Sequence, residues 1–186
     1  MRLAKLLAVE LLAAVVLVVP AYAECLSADQ LGNPGPYYGG LYSLPSGMGL
    51  TASMGPFKSP VSGSIGMGQP ELLPAPGQCQ GATTLLLKTS NSNFLFLTQH
   101  AVGRITIDYC DGADQNNLSV RPLAFDYVGD VVAANGQQLP GLNGMVDVRV
   151  TPNGGGMHSG TVELTGNLQY VAFGGAETFI AQVCVE

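Results

Sequence analysis

The stretch "GRITIDY", residues 103–109, decides the fold because apolar and polar side chains alternate along it. Ile105, Ile107 and Tyr109 fall on one face, and the basic, hydroxyl and acidic side chains between them fall on the other. A period of two residues is typical of a β-strand that buries one face and exposes the other. "MVDVRV" (145–150) and "GTVELTG" (160–166) have the same period, so three half-buried strands are predicted.

Further strand candidates follow residue 81, separated by stretches rich in turn residues. They are "TTLLLK" (83–88), "NFLFLT" (93–98), "LSVRPLAFDYV" (118–128), "DVVAA" (130–134), "LQYVAF" (168–173) and "ETFIAQVCVE" (177–186). "NFLFLT" is apolar on both faces, which favours a central position, whereas Pro122 favours an edge or bulged strand. About eight or nine short strands predict an all-β fold, an antiparallel β-sandwich or jelly-roll-like domain over residues 81–186.

Residues 24–80 differ from the rest because glycine and proline dominate them. The stretch from Glu24 to Cys79 holds eleven of the 25 glycines and eight of the twelve prolines, but only four charged residues. Glycine and proline at this density exclude a helix. Scattered apolar residues favour an extended segment that packs on the sandwich domain or is tethered to it, with one weak hairpin joining 50–54 to 61–67. Disorder is the alternative interpretation.

The first 23 residues have the pattern of an export signal. Arg2 and Lys5 form a basic start, "LLAAVVLVVP" (11–20) is the apolar run, and "AYA" (21–23) supplies the small residues for cleavage. This run is shorter than the roughly 20 apolar residues that a membrane-spanning helix needs. We therefore expect an exported protein that is not embedded in a membrane and is periplasmic, cell-surface or extracellular.

The charge balance excludes some partners. Without residues 1–23 the chain has five Lys or Arg and twelve Asp or Glu, a net charge of −7. Nucleic acids and anionic membranes are bound through basic surface, so an acidic chain argues against both.

The four cysteines, Cys25, Cys79, Cys110 and Cys184, are expected to form two disulfides, since an even number in an exported chain is typical of a disulfide framework. No C-x-x-C pair supports a zinc or redox motif. Alternation places Cys110 and Cys184 away from the apolar faces of their strands, which favours Cys110–Cys184 and Cys25–Cys79 over the two other connectivities.

One polar stretch, "DYCDGADQNN" (108–117), is a candidate cation site. Asp111, Asp114 and Asn116 could donate oxygens to calcium, although neither register fits an EF-hand loop. The alternative is a polar turn between strands, whose side chains bond their own backbone. The alternation and turn pattern favours this second interpretation.

The tyrosines of "PYYGGLY" (36–42) are a candidate contact surface. Tyr37, Tyr38 and Tyr42 lie among small residues, so their rings could stack on a glycan or a partner protein. We favour the alternative that the rings pack on the sandwich and anchor the segment, since glycan-binding faces often use Trp and the chain has none.

Three functional hypotheses follow. We favour an exported, non-enzymatic structural, adhesion or assembly protein that contacts a protein or surface partner, with self-association by a lent strand as one version. A small-ligand module that binds calcium or a glycan is second, and no other cofactor is expected. A hydrolase with a dispersed site is third, because no nucleophile motif or paired carboxylate is present.

Overall fold

The computed structural model describes residues 23–76, 79, 83–153 and 158–186, so residues 1–22 of the predicted export signal lie outside the described residues. The strands are β1 Glu24–Ser27, β2 Gly35–Pro36, β3 Gly40–Ser43, β4 Gly49–Lys58, β5 Ile65–Gly66, β6 Glu71–Pro74, β7 Leu85–Lys88, β8 Ser92–Asp111, β9 Asn116–Ser119, β10 Tyr127–Gly129, β11 Gln138–Gly141, β12 Gly144–Pro152, β13 His158–Gly175 and β14 Thr178–Val185. All their pairings are antiparallel, which confirms the predicted all-β fold. No helix in the described ranges is long and apolar enough to cross a membrane.

The long ribbon of β8 and β13 builds both layers of the fold. Tyr109 pairs with Gly160 and Phe173 pairs with Phe94, so these pairs lie near opposite ends of the ribbon. On a straight strand, residues 160 and 173 would be about 43 Å apart. The rings of Tyr109 and Phe173 are nevertheless 5.5 Å apart. The ribbon therefore doubles back at the register shifts between Thr165 and Tyr170, and its two halves face each other.

Two facing layers follow from this bend. Sheet I contains β3, β4, residues 92–98 of β8, residues 170–175 of β13, β9 and β10. Sheet II contains β11, β12, residues 158–165 of β13, residues 104–111 of β8, β14, β1, β7, β6 and β2. One apolar core lies between them, and residues from both layers, such as Phe96, Phe173, Ile107 and Leu164, are buried in it.

The glycine- and proline-rich segment is built into this sandwich-like domain. β4 pairs with β8 from Leu50 opposite Thr98 to Pro56 opposite Ser92, and with β3 on its other side. The Asp29 carboxylate accepts hydrogen bonds from Thr84 and from the Leu85 amide, and these bonds, the Thr84 hydroxyl first, lower the pKa of Asp29. Six of the fourteen strands in the described residues lie in this segment. Their pairing through the backbone does not require side-chain alternation, so the sequence pattern predicted no more than one weak hairpin here.

Four of the predicted strands are halves of two longer ones. "NFLFLT" and "GRITIDY" both belong to β8, and "GTVELTG" and "LQYVAF" both belong to β13. The prediction of a strand at "DVVAA" is wrong, since Val131–Ala134 is a 3-10 helix. Asp130 begins it by accepting a 2.9 Å hydrogen bond from the Val132 amide, as an N-cap residue does.

Two disulfides are present as predicted, but the favoured pairing was wrong: the bonds are Cys25–Cys184 and Cys79–Cys110. Cys110 is opposite Phe179 on β14, whereas Cys184 is five residues further along that strand. Five strand residues span about 16 Å, while bonded cysteines need Cα atoms about 5.5 Å apart. Cys184 is instead directly opposite Cys25 on β1, a neighbour that alternation cannot reveal.

Candidate functional site

Sheet I is almost free of charge. Lys58, at the end of β4, is the only Asp, Glu, Lys or Arg in its described strands, and residues 30–57, 89–103 and 164–176 have none. The described strands of sheet II contain nine: Glu24, Glu71, Lys88, Arg104, Asp108, Asp111, Asp147, Arg149 and Glu163. Charged residues are depleted at the centres of protein interfaces, so sheet I is the surface suited to contact with another protein.

An apolar row crosses the outward face of sheet I. Leu41 is directly opposite Thr51, Thr51 is opposite Leu97, and Leu97 is opposite Tyr170. At the usual strand spacing this row is about 14 Å long. Leu41 is 83% exposed and Leu97 is 45% exposed. Burial raises the pKa of Tyr170, and the charge of Asp126 raises it further, so the neutral phenol is favoured at the end of the row.

The row points outward because its neighbours in sequence point inward. Leu50 and Phe96 are each 1% exposed, and Val171 is fully buried. Alternation along a strand then forces residues 51, 97 and 170 to the opposite face. The core thus fixes the outward position of these side chains.

β3 forms an open edge of sheet I, since β4 is its one paired neighbour among the described strands. The Leu44 amide donates a 2.9 Å hydrogen bond to the Met48 carbonyl across the β3–β4 turn. In an antiparallel pair such bonds recur at alternate residues, so the N–H and C=O groups of Leu41 and Ser43 point away from β4. Gly49, which is opposite Ser43, follows the same alternation: its amide points away from β3 and donates a 3.4 Å hydrogen bond to the Gln99 side chain on β8.

The hairpin of β4 and β5 extends the apolar surface. Val61, Ile65 and Met67 are 81%, 62% and 64% exposed. The predicted hairpin joining 50–54 to 61–67 was wrong in its pairing, because residues 50–54 pair with β8 and the β4–β5 ladder joins 57–58 to 65–66. The paired part of β4 buries Leu50 and Ala52 instead.

The predicted tyrosine cluster divides between core and surface. Tyr37 is 5% exposed, its hydroxyl is 3.1 Å from that of Tyr42, and its ring lies 6.1 Å from the ring of Phe94. Burial raises the pKa of the Tyr37 phenol, with the hydrogen bond to Tyr42 as a second cause. Tyr42 is half-buried and donates to the Leu31 carbonyl. Tyr38 is 82% exposed, so it alone of the three is free to contact a partner.

The predicted cation loop is a closed hydrogen-bond network. Asn116 donates to the Thr178 hydroxyl at 2.9 Å, and that hydroxyl donates to the Asp111 carboxylate at 3.0 Å. Burial raises the pKa of Asp111, and the donors around it only partly offset this. The Asp114 carboxylate contacts Nδ1 of His158. In the described ranges, no group of three or more His, Cys, Asp or Glu is arranged to hold a metal ion.

Sequence reasoning missed the structural role of two buried asparagines. Asn117 accepts from the Lys58 amide at 2.6 Å and donates to the Lys58 carbonyl at 2.9 Å, as a strand backbone would. Asn93 donates to the Pro56 carbonyl at 2.6 Å. Together they hold the end of β4 to β9 and β8. The polar composition gave no signal for this role, since it also fits a turn.

Comparison of the chain with protein-family models gives no match, and no curated protein or solved structure matches it significantly. Sheet I and the open edge of β3 are therefore the features of the molecule that bear on its function.

Proposed function

We propose that this chain is an exported, non-enzymatic structural or assembly protein of the cell envelope or the extracellular space, and that it binds a protein partner through sheet I. The observation that carries the proposal is the separation of charge, which leaves Lys58 as the single charged residue in the described strands of sheet I. An uncharged sheet face with exposed Leu41 and Leu97 loses little hydration when another protein covers it.

Recognition in this proposal is passive and depends on a rigid frame. The two disulfides indicate an oxidising, exported environment. Both join elements around sheet II, where the charged residues also lie. Sheet II then keeps the protein soluble, while sheet I is available for contact.

Fractionation of the producing cells, followed by native sizing of each fraction with an antibody, tests the proposal. We expect the protein in an exported fraction at a mass well above that of the 19.2 kDa chain. Leu97→Glu places a charge in the apolar row and should return the protein to the monomer mass. Leu142→Glu is the matched control, because Leu142 is 53% exposed in the turn between β11 and β12.

Two outcomes would overturn the proposal. One is a wild-type protein that runs as a monomer in every fraction. The other is a complex that Leu97→Glu and Leu142→Glu weaken equally, since contact would then not involve sheet I.

A further inference from the structure

We propose that the partner is a second copy of this chain, joined edge to edge through antiparallel pairing of β3 with β3. This inference depends on the proposed function above, because it names the partner of the same surface. It is carried by the orientation of the backbone groups of β3, by the lack of charged residues in β3 and in the part of β4 that pairs with it, and by the exposure of Leu41.

The free backbone groups of β3 are self-complementary. Leu41 and Ser43 each direct one donor and one acceptor away from β4, as the alternation from Leu44 shows. A two-fold axis beside Tyr42 would place Leu41 of one copy opposite Ser43 of the other, and the reverse. Each of these pairs exchanges both N–H···O=C bonds, so one short strand satisfies all of its outward groups.

Electrostatics direct two copies to this edge. The whole chain has a net charge of −6, so copies repel each other over most orientations. The stretch from 30 to 57 contains β3 and most of β4 and has no charged residue of its own, which reduces this repulsion along β3. The Glu24 carboxylate reaches the β3–β4 turn, where it accepts a 2.6 Å hydrogen bond from Ser46. An uncharged surface can meet itself without placing like charges together, whereas a charged surface cannot.

β3 also lacks the features by which soluble proteins block edge pairing. Lysine, proline and bulges are the usual ones. β11, an edge of sheet II, contains Pro140, whereas β3 is "GLYS" and pairs with β4 without a register shift. Leu41 stands beside the open edge at 83% exposure. In the joined sheet its side chain would lie beside Ser43 of the neighbouring copy and diagonal to the other Leu41, so that each copy covers part of it.

Sedimentation of the purified, disulfide-intact protein tests the inference. Concentrations from roughly 1 µM to 1 mM cover the range in which weak dimers form. We expect a rise to twice the monomer mass. Leu41→Lys places a charge at the open edge and should weaken the dimer at least tenfold, which corresponds to roughly 1.4 kcal/mol of binding free energy. Leu123→Lys is the matched control, because Leu123 is a fully exposed leucine in the loop after β9.

A second variant tests the backbone pairing itself. Ser43→Pro removes an N–H that points away from β4, so the β3–β4 ladder stays intact and the dimer loses a donor. Hydrogen exchange of wild type should also show the amides of Leu41 and Ser43 protected at high concentration, and both should be unprotected in Leu41→Lys. Circular dichroism of each variant confirms that the strands remain.

The outcomes separate this inference from the proposed function. A purified protein that stays monomeric at roughly 1 mM, or a dimer that survives both Leu41→Lys and Ser43→Pro, overturns the inference. If the cell-derived complex still requires Leu97, the proposed function stands with a different protein as partner. If that complex is also absent, both fail.

Discussion

Sheets I and II bury one shared core, yet they are held together by different means. Both disulfides join elements of sheet II or the segment packed on it, and none reaches sheet I. The outward face of sheet II also has ion pairs from Arg104 to Glu163 and Glu186, and a hydrogen bond that Thr161 donates to Asp108. Sheet I has no disulfide and is held at its edge by buried amide side chains such as Asn117.

One layer can therefore contain most of the charged residues and both disulfides, while the other layer presents an uncharged face. Surface charge in sheet II favours hydration of that layer but contributes little to folding. Covalent bonds and buried amides contribute far more, because they act on the unfolded chain or in a dry interior. Removal of a disulfide, of a buried amide and of a surface ion pair should therefore lower the free energy of unfolding by successively smaller amounts.

The largest expected effect is the loss of a disulfide from sheet II. The Cys25–Cys184 bond closes a loop of 159 residues and the Cys79–Cys110 bond closes one of 31. In the chain-entropy model these contribute about 5 and about 3.5 kcal/mol to the free energy of unfolding. Chemical denaturation of Cys25→Ala/Cys184→Ala and of Cys79→Ala/Cys110→Ala measures both. Equal losses would mean that loop length does not determine the stabilisation.

Removal of a buried amide from sheet I should have the next largest effect. Asn117→Ala leaves the Lys58 amide and carbonyl without their partners in a buried site, so we expect a loss of about 2–3 kcal/mol. Asn117→Asp keeps the shape but turns an acceptor toward the Lys58 carbonyl, and should do no better. Asn167→Ala, at an exposed position of β13, is the control for the residue type. If the Asn117 variants match that control, backbone pairing alone holds β4.

A buried hydroxyl in sheet II should have a smaller effect of opposite sign. The Tyr109 hydroxyl is buried and has no hydrogen-bond partner among the described residues, so Tyr109→Phe should stabilise the protein by up to about 1 kcal/mol at neutral pH. Tyr37→Phe is the counterpart, because it removes the contact with Tyr42 and should destabilise.

The pH dependence provides a second measurement on the same variant. Burial, with the charges of Asp130, Asp111 and Asp114, raises the pKa of Tyr109 to about 12. The folded pKa lies above the unfolded value of about 10, so this stability is complete below pH ~10 and is lost as the pH rises toward 12. In denaturation at pH 7, 10 and 11, the difference between Tyr109→Phe and wild type should therefore stay nearly constant up to pH ~10 and widen at pH ~11. A constant difference between them would show that Tyr109 does not ionise within this range.

The sequence predicted the strands whose side chains alternate and failed where backbone pairing decides the structure. Ile105, Ile107 and Tyr109 are buried as the period of two requires. Before Cys79 only residues 50–54 of β4 showed a weak period of two, and Leu50 and Ala52 are indeed buried. The ladder that joins β4 to β8 left no signal in the sequence. Cysteine pairing was also beyond reach, since it depends on the placement of β1 beside β14.

The candidate site was readable only in part. Tyr38 was named from sequence and is exposed, but Leu41 and Leu97 were not named. A signal for them existed, because the two charge-free stretches 30–57 and 89–103 are visible in the sequence. What the sequence could not show is that these stretches pair as β4 and β8 and so form one uncharged face.

The smallest expected effect is the loss of surface ion pairs from sheet II. Arg104 contacts Glu163 at 3.4 Å and also contacts Glu186, and the Glu186 carboxylate is the main cause of its raised pKa. Exposed pairs such as these are screened by solvent and salt. Arg104→Met should lower the unfolding midpoint slightly in dilute buffer, and the difference from wild type should vanish in about 1 M salt, where the screening length is near 3 Å.

Arg149→Met is the matched control, since Arg149 lies on the same face and makes no ion pair with a described residue. It removes the same charge, so any loss beyond this control reports the Glu163 and Glu186 contacts. A loss that persists in high salt would mean that the Arg104 stem packs against the sheet and that its charge matters little. The charged layer would then stabilise by packing, as sheet I does, and its disulfides rather than its charges would set it apart from sheet I.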